Sequence, residues 1–363
     1  MKPNSNPPVN PGVGETPTIH AVQYLRAGAA FLVVFYHLAL ALQDETRAAI
    51  SFSKGAVGVD IFFVLSGFIM AMVAAERPDP ADRFMLRRIA RIAPLYYLLT
   101  LLLFAVALVA PHLLNSTTAD PLHLVTSLFF LPFDSGGGRN APILILGWTL
   151  NYEMFFYLLV LISLRFFEDR TLFSVIGMLT LLVGLGLAVD SGALLARFYL
   201  DPIILEFALG ILVYHLAFKR RPLSVVIALP LLLAGIAWIV LQSAPVAPDW
   251  RSLLWGLPAA MIVAGALGAF SRNVEWLRRL GDWSYSVYLI HVYIIHFLVK
   301  LVIGYLPPYP GVEWFMAALA IPATIIASAV LFHVVENPGR KLVMRWGSRI
   351  SGAAGARSSS PAE

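Results

Sequence analysis

The first long apolar run of the chain, Ala21 to Leu42, contains two side chains suited to chemistry rather than to lipid: Arg26 and His37. An arginine at the middle of a membrane span costs roughly 2.5–3.5 kcal/mol on insertion scales, so such residues usually face the protein interior and mark a pathway or a reaction site. The two lie eleven positions apart. Eleven steps of about 100° end about 20° past three full turns, so both sit on one helical face, about 16 Å apart. Arginine is a permanent cation, and histidine is the side chain best suited to proton transfer near neutral pH. The competing reading is a buried pair that satisfies backbone carbonyls or anchors a neighbouring helix. Ionisable groups in the other apolar runs weigh against it.

In the second run, GVDIFFVLSGFIMAM, Asp60 reads as a helix-terminal carboxylate. Ser66 beside Gly67 is the composition of a close helix contact, which competes with any chemical role for the serine. In RFMLRRIARIAP, Arg83, Arg87 and Arg91 recur at i, i+4 and i+8 and form a stripe, with Arg88 next to it. Arginine forks bind phosphate bidentately; an anion site and a topogenic basic loop are equally good accounts of the stripe. GWTLNYEMFFY places Trp148, Asn151 and Glu153 at the start of a further run. Glu153 is either part of an interfacial aromatic belt or a carboxylate that orients a histidine or binds a hydroxylated substrate. The depth it shares with His37 favours the second. GDWSYSVYLIHV sets Ser284, Tyr288 and His291 on one face through steps of i+4 and i+3.

These residues need a membrane scaffold to hold them. Of 363 residues 59% are hydrophobic and 13% charged, about half the charged share of soluble domains, roughly 25%. The chain has no cysteine, which excludes disulfides, thiolate catalysis and Cys-ligated metal sites. With about 20 apolar residues per span, ten spans are expected, near 20–42, 56–75, 93–112, 143–165, 173–190, 201–218, 223–242, 251–270, 282–304 and 313–335. The apolar stretch from Leu122 to Phe133 is too short to cross and is expected to be re-entrant or interfacial. A cytoplasmic N-terminus puts nineteen of the 26 Lys and Arg on the inside and five outside, as the positive-inside rule requires. The net charge of +5 is thus explained by orientation, and no nucleic-acid partner is expected. Residues 1–18 read as a disordered tail, 19–338 as the all-α transmembrane domain with both ends cytoplasmic, and 339–363 as a basic, partly disordered tail.

LRAGAAFLVVFYH, VDIFFVLSGFIM, RFMLRRIARIAPLYY, GWTLNYEMFFY, DWSYSVYLIHV and VENPGRK, in this order, resemble the membrane-bound acyltransferase-3 family, and in detail its exopolysaccharide-type O-acetyltransferases. The resemblance implies transfer of an acyl group, commonly acetyl, from cytoplasmic acyl-CoA to a hydroxyl of a cell-surface or lipid-linked glycan, in a bacterial inner membrane and without a bound cofactor or metal. It places the family's histidine on His37, its arginine on Arg26, its basic motif on Arg87, Arg88 and Arg91, its serine on Ser66 and its carboxylate on Glu153. His37 is then expected to be the general base helped by Glu153, and Arg26 to hold the pantetheine arm. Arg87, Arg88, Arg91 and Ser66 are expected at acyl-CoA, and Trp148, Asn151, Tyr288 and His291 around the acceptor or pocket. Two other classes fit intramembrane Arg, His and Glu: a transporter or flippase of a lipid-linked sugar, and a non-catalytic scaffold of a polysaccharide-synthesis complex. The transporter reading lacks evident inverted repeats.

Overall fold

The computed structural model of the chain describes residues 19–46, 51–76, 80–114, 119–134, 140–167, 170–189, 192–243, 246–305 and 311–358. The N-terminal tail through residue 18 and the end of the chain from 359 lie outside the described residues. Among the described residues there are helices and turns and no strand. A bilayer offers no water to backbone N–H and C=O groups, and an apolar helix satisfies them segment by segment.

The helices are α1 His20–Thr46, α2 Val57–Glu76, α3 Ala81–Val109, α4 Pro121–Leu128, α5 Trp148–Phe166, α6 Thr171–Ala188 and α7 Leu194–Tyr199, followed by α8 Leu205–Val213, α9 Val225–Leu241, α10 Leu257–Ala269, α11 Glu275–Tyr305, α12 Val312–Leu331 and α13 Asn337–Ser358. Among the described residues, nine stretches are long and apolar enough to cross a membrane. One of them, Leu194–Phe218, joins α7 and α8 through the turn at Pro202. Helix α9 has 17 residues, about 26 Å at about 1.5 Å per residue, and falls just short of a hydrocarbon core about 30 Å thick. The ten expected spans are therefore nine spans and this shorter apolar helix. Leu101 and Leu102 of α3, Phe173 and Leu181 of α6, and Val226 and Leu233 of α9 are exposed, the surface that lipid covers.

Helix α2 is the centre of the bundle, with 72% of its apolar window buried against 22% for α6. Its tightest contact is with α8. A Cβ on Gly67 would lie 2.1 Å from the Phe207 carbonyl oxygen, and one on Gly210 would lie 2.0 Å from that of Val64. Small residues that let two backbones touch are the membrane solution to helix association. Asp60 is fully buried in the first turn of α2 and takes both arms of Arg251, at 2.9 Å each. This bidentate pair ties α2 to the start of the α10 span, so Asp60 is architecture.

The stretch around Leu122 folds as the short helix α4, capped by the Asp120 carboxylate on the backbone N–H of Leu122 at 2.7 Å. Tyr96 and Tyr97 of α3 donate to the Ser127 and Leu128 carbonyls at 3.0 and 2.9 Å, which fixes α4 against α3. Helix α3 itself has 29 residues, about 43 Å. It is longer than the hydrocarbon core, so its polar first turns, Asp82 to Arg91, project past the apolar slab.

Candidate active site

A cavity of about 1170 Å³ opens among α1, α2, α3, α5, α11 and α13. It exceeds the about 300–1,000 Å³ that accommodates drug-sized ligands. Its walls carry seven Lys or Arg side chains and two carboxylates, Glu76 and Glu153. Most of the cations gather at the end where α3 projects: Arg87, Arg88 and Arg91 on α3, and Arg340, Lys341 and Arg345 on α13. The other end is lined by Val59, Phe62, Phe63, Thr149 and Tyr288.

Of the arginine stripe, Arg87 and Arg91 line the cavity, as does Arg88, whereas Arg83 is exposed and does not. Arg83 lies one turn nearer the helix start, beyond the cavity's reach. The Arg88 guanidinium sits 5.7 Å from the Phe84 ring centre and 5.8 Å from that of Tyr157, and its Nε is buried without a partner. Arg26 lines the same cavity, and among the described residues no hydrogen bond or ion pair occupies its guanidinium.

Deeper in, Glu153 accepts a hydrogen bond from the Ser66 hydroxyl at 3.2 Å and one from Tyr157. Both readings of the Ser-Gly pair are therefore met by adjacent residues: Gly67 makes the helix contact while Ser66 turns into the cavity. Thr149, Leu150, Glu153 and Tyr157 form one wall, the i−4, i−3, i and i+4 face around Glu153. That geometry corrects the expectation for Trp148 and Asn151. Two residues before Glu153 is about 200° around the helix, and Asn151 is fully buried with neither amide atom partnered. Trp148 packs edge-on against Phe63 and Tyr152. Neither lines the cavity.

His37 is not in the cavity wall either, and the structure does not pair it with Glu153. Its Nδ1 lies 3.0 Å both from the Val33 carbonyl, one turn back on α1, and from Nε2 of His291. His291 is fully buried and its Nδ1 sits 3.0 and 2.8 Å from the carbonyls of Val287 and Tyr288. Carbonyl oxygens only accept, so His291 carries its proton on Nδ1 and, with one proton per ring, its Nε2 shares the His37 Nδ1–H with the Val33 carbonyl. The same assignment leaves the lone pair of His37 on Nε2, and the His37 side chain is partly exposed. Between this pair and the cavity stand Phe62 and Tyr288, with ring centres 5.8 Å apart. The Tyr288 ring centre lies 6.1 Å from that of His291. Tyr288 is fixed by Thr149 at 3.0 Å. Ser284 and Tyr288 line the cavity and His291 lies behind them, so the face predicted from their spacing is real but only part of it reaches the cavity.

Three contributions were not assigned to the site from the sequence. Tyr157 is the i+4 neighbour of Glu153 and was accessible to helical periodicity. Glu336 accepts from Ser286 at 2.7 Å at the junction of α12 and α13. The cations of α13 gave only the signal of a basic tail.

A membrane bundle enclosing a cavity, with cations gathered at one end and a histidine pair beyond the other, defines a multi-pass transmembrane protein. Its family is established by comparison. The chain belongs to the acyltransferase-3 family, whose acyltransferase domain matches residues 19–333, and it is a multi-pass membrane acyltransferase. It is 35% identical over 301 residues to the exopolysaccharide production protein ExoZ of Rhizobium meliloti (strain 1021), covering 79% of this chain and 90% of that protein. It is 29% identical over 332 residues to the acyltransferase MdmB of Streptomyces mycarofaciens, covering 80% and 82%. The peptidoglycan O-acetyltransferase OatA of Listeria monocytogenes is 27% identical over 191 residues, 47% of this chain and 28% of that protein. No solved structure matches the chain.

Proposed function

We propose that the protein is an O-acyltransferase that moves an acyl group, with acetyl-CoA the favoured donor, from the cytoplasmic side to a hydroxyl of a cell-surface or lipid-linked glycan at a bacterial inner membrane. One observation carries the reading: a single cavity joins a cluster of phosphate-binding cations to the Ser66–Glu153–Tyr157 group and ends on the aromatic pair beside His37 and His291. The charge pattern of the loops supports a cytoplasmic position for the cationic end, the side where acyl-CoA is made. The names of the relatives, one in exopolysaccharide production and one a peptidoglycan O-acetyltransferase, support a glycan acceptor.

In this reading Arg87, Arg88 and Arg91 hold the phosphates of the donor and Arg26 the pantetheine arm. Glu153, anchored by Ser66 and Tyr157, sets the charge around Arg26 and Arg88, to both of which it is electrostatically coupled. His37 Nε2 takes the acceptor's hydroxyl proton as the oxygen bonds to the thioester carbonyl carbon. The C–S bond then breaks, and the CoA thiolate recovers a proton to leave as the thiol. A positioned base contributes typically about 10²–10⁴-fold. The Val33 carbonyl and His291 act through His37, together holding the tautomer that leaves Nε2 free to accept. The acceptor meets the acyl group past Phe62 and Tyr288, on the far side from the basic end.

The test is labelled acetyl-CoA presented to the protein in proteoliposomes, with mass spectrometry of surface glycans from wild-type and deletion strains. Transfer of label, and a deletion phenotype that loses one acyl mass from the glycan, is the expected result. Solute flux without CoA consumption, or unchanged glycans, contradicts it.

A further inference from the structure

The basic segment after Glu336 forms the helix α13 and runs antiparallel along α3. Two glycines make the seam. A Cβ on Gly339 would lie 2.5 Å from Pro94 Cβ, and one on Gly347 would lie 2.1 Å from Leu86 Cδ2. Gly339 and Gly347 are eight residues apart, and Pro94 and Leu86 are eight apart in the opposite sense, so the two helices stay in register over about 12 Å. Close approach of this kind needs small residues on one side. With the seam closed, Arg340, Lys341 and Arg345 come to the cavity wall that also carries Arg87, Arg88 and Arg91.

Six cations around one cavity mouth exceed what three arginines of an orientation signal require. Among the cavity's lining residues these cations outnumber the two carboxylates, Glu76 and Glu153, and a polyanion offsets such an excess of positive charge. The ligand chemistry that fits is a cluster of phosphates. A phosphate monoester carries about −1.5 to −2 at neutral pH, so a 3′-phosphorylated ADP group presents a monoester and a diphosphate together, whereas phosphopantetheine on a carrier presents a single phosphodiester. Anionic lipid headgroups share this chemistry, but the side chains line the recess that continues to Ser66 and Glu153 and are therefore placed for a ligand that reaches the interior.

Resting on the acyl-CoA reading above, we infer that α13 is the second half of the donor's nucleotide site. Arg340, Lys341 and Arg345 grip the 3′-phosphorylated end of CoA against Arg87, Arg88 and Arg91, and the protein thereby selects CoA thioesters over thioesters borne on phosphopantetheine alone. Binding is non-covalent, and guanidinium and ammonium groups donate to phosphate oxygens.

The experiment measures binding of acetyl-CoA and of its 3′-dephospho form to the full-length protein in lipid nanodiscs, for wild type and for Arg340→Ala with Lys341→Ala. Both side chains are exposed, and a thermal unfolding curve on the same sample verifies that the fold is kept. A second variant, Arg340→Lys with Lys341→Arg, retains the charge. The expected result is wild-type preference for the 3′-phosphorylated form, a loss of about tenfold or more in acetyl-CoA affinity in the alanine variant, collapse of the preference, and recovery in the charge-retaining variant. An alanine variant with unchanged affinity and preference overturns the inference while leaving the acyl-CoA reading intact. A loss seen with anionic lipid and absent in phosphatidylcholine nanodiscs assigns α13 to headgroups and also overturns it. Wild-type protein that binds neither form overturns the donor reading, and this inference with it.

Discussion

Arg26 and His37 lie on one face of the same helix, yet α1 delivers them to different surroundings. Arg26 opens onto a cavity crowded with cations and two carboxylates, with its guanidinium unoccupied by the described residues. His37 lies beyond Phe62 and Tyr288, in contact with a second, fully buried histidine. One end gathers cations around a cavity, and the other presents a single lone pair on a ring held by two partners. On the proposed reading the difference separates two jobs: the donor is recognised at one end of the helix and the proton is taken near the other.

If the separation is real, substitutions at the two ends must fail differently. The largest effect is expected for His37→Ala, with the acyl-transfer rate down about 10²–10⁴-fold and acetyl-CoA affinity retained. Steady-state transfer and equilibrium binding on one preparation measure both. Arg87→Ala with Arg91→Ala should act in the opposite sense, raising the donor KM about 10–100-fold, since a hydrogen bond to a charged group is worth about 1.5–3 kcal/mol. An effect on kcat larger than that on KM would break the comparison. His291→Phe keeps the bulk but removes one of the two acceptors of His37 Nδ1–H, the Val33 carbonyl remaining. It should lower kcat about 3–10-fold, the worth of one hydrogen bond of about 0.5–1.5 kcal/mol, and change the pH–rate profile, which a purely structural residue would leave alone. The smallest change is expected at Ser66→Ala, a few-fold at most in kcat/KM, because Glu153 keeps its bond from Tyr157.

The helical membrane fold was legible from hydropathy because that signal is local: an apolar run either reaches about 20 residues or does not, and only α9 fell on the border. The arginine stripe was legible for the same reason, although spacing has no information on where the cavity ends, and Arg83 is excluded by one turn. Glu153 lines the cavity, but the residues beside it there are not the ones named with it from the sequence. Trp148 and Asn151 were grouped with it by proximity in sequence, whereas the helix gives its neighbours as Thr149 and Tyr157. The partner of His37 was beyond any local pattern. His291 lies 254 positions away and meets His37 only because α1 packs against α11. The α13 cations were read as a tail because their segment lacks the apolar stripe of a buried helix; what docks it is a pair of glycines matched to two positions on α3.

The central claim, that donor binding and proton transfer reside at opposite ends of α1, is tested most directly by acetyl-CoA titration of His37→Ala and of Arg87→Ala/Arg91→Ala protein in nanodiscs, with transfer measured on the same samples. The account predicts wild-type affinity with transfer lost for the first and weakened affinity for the second. Loss of acetyl-CoA affinity in His37→Ala, together with unchanged affinity in the arginine variant, would contradict it.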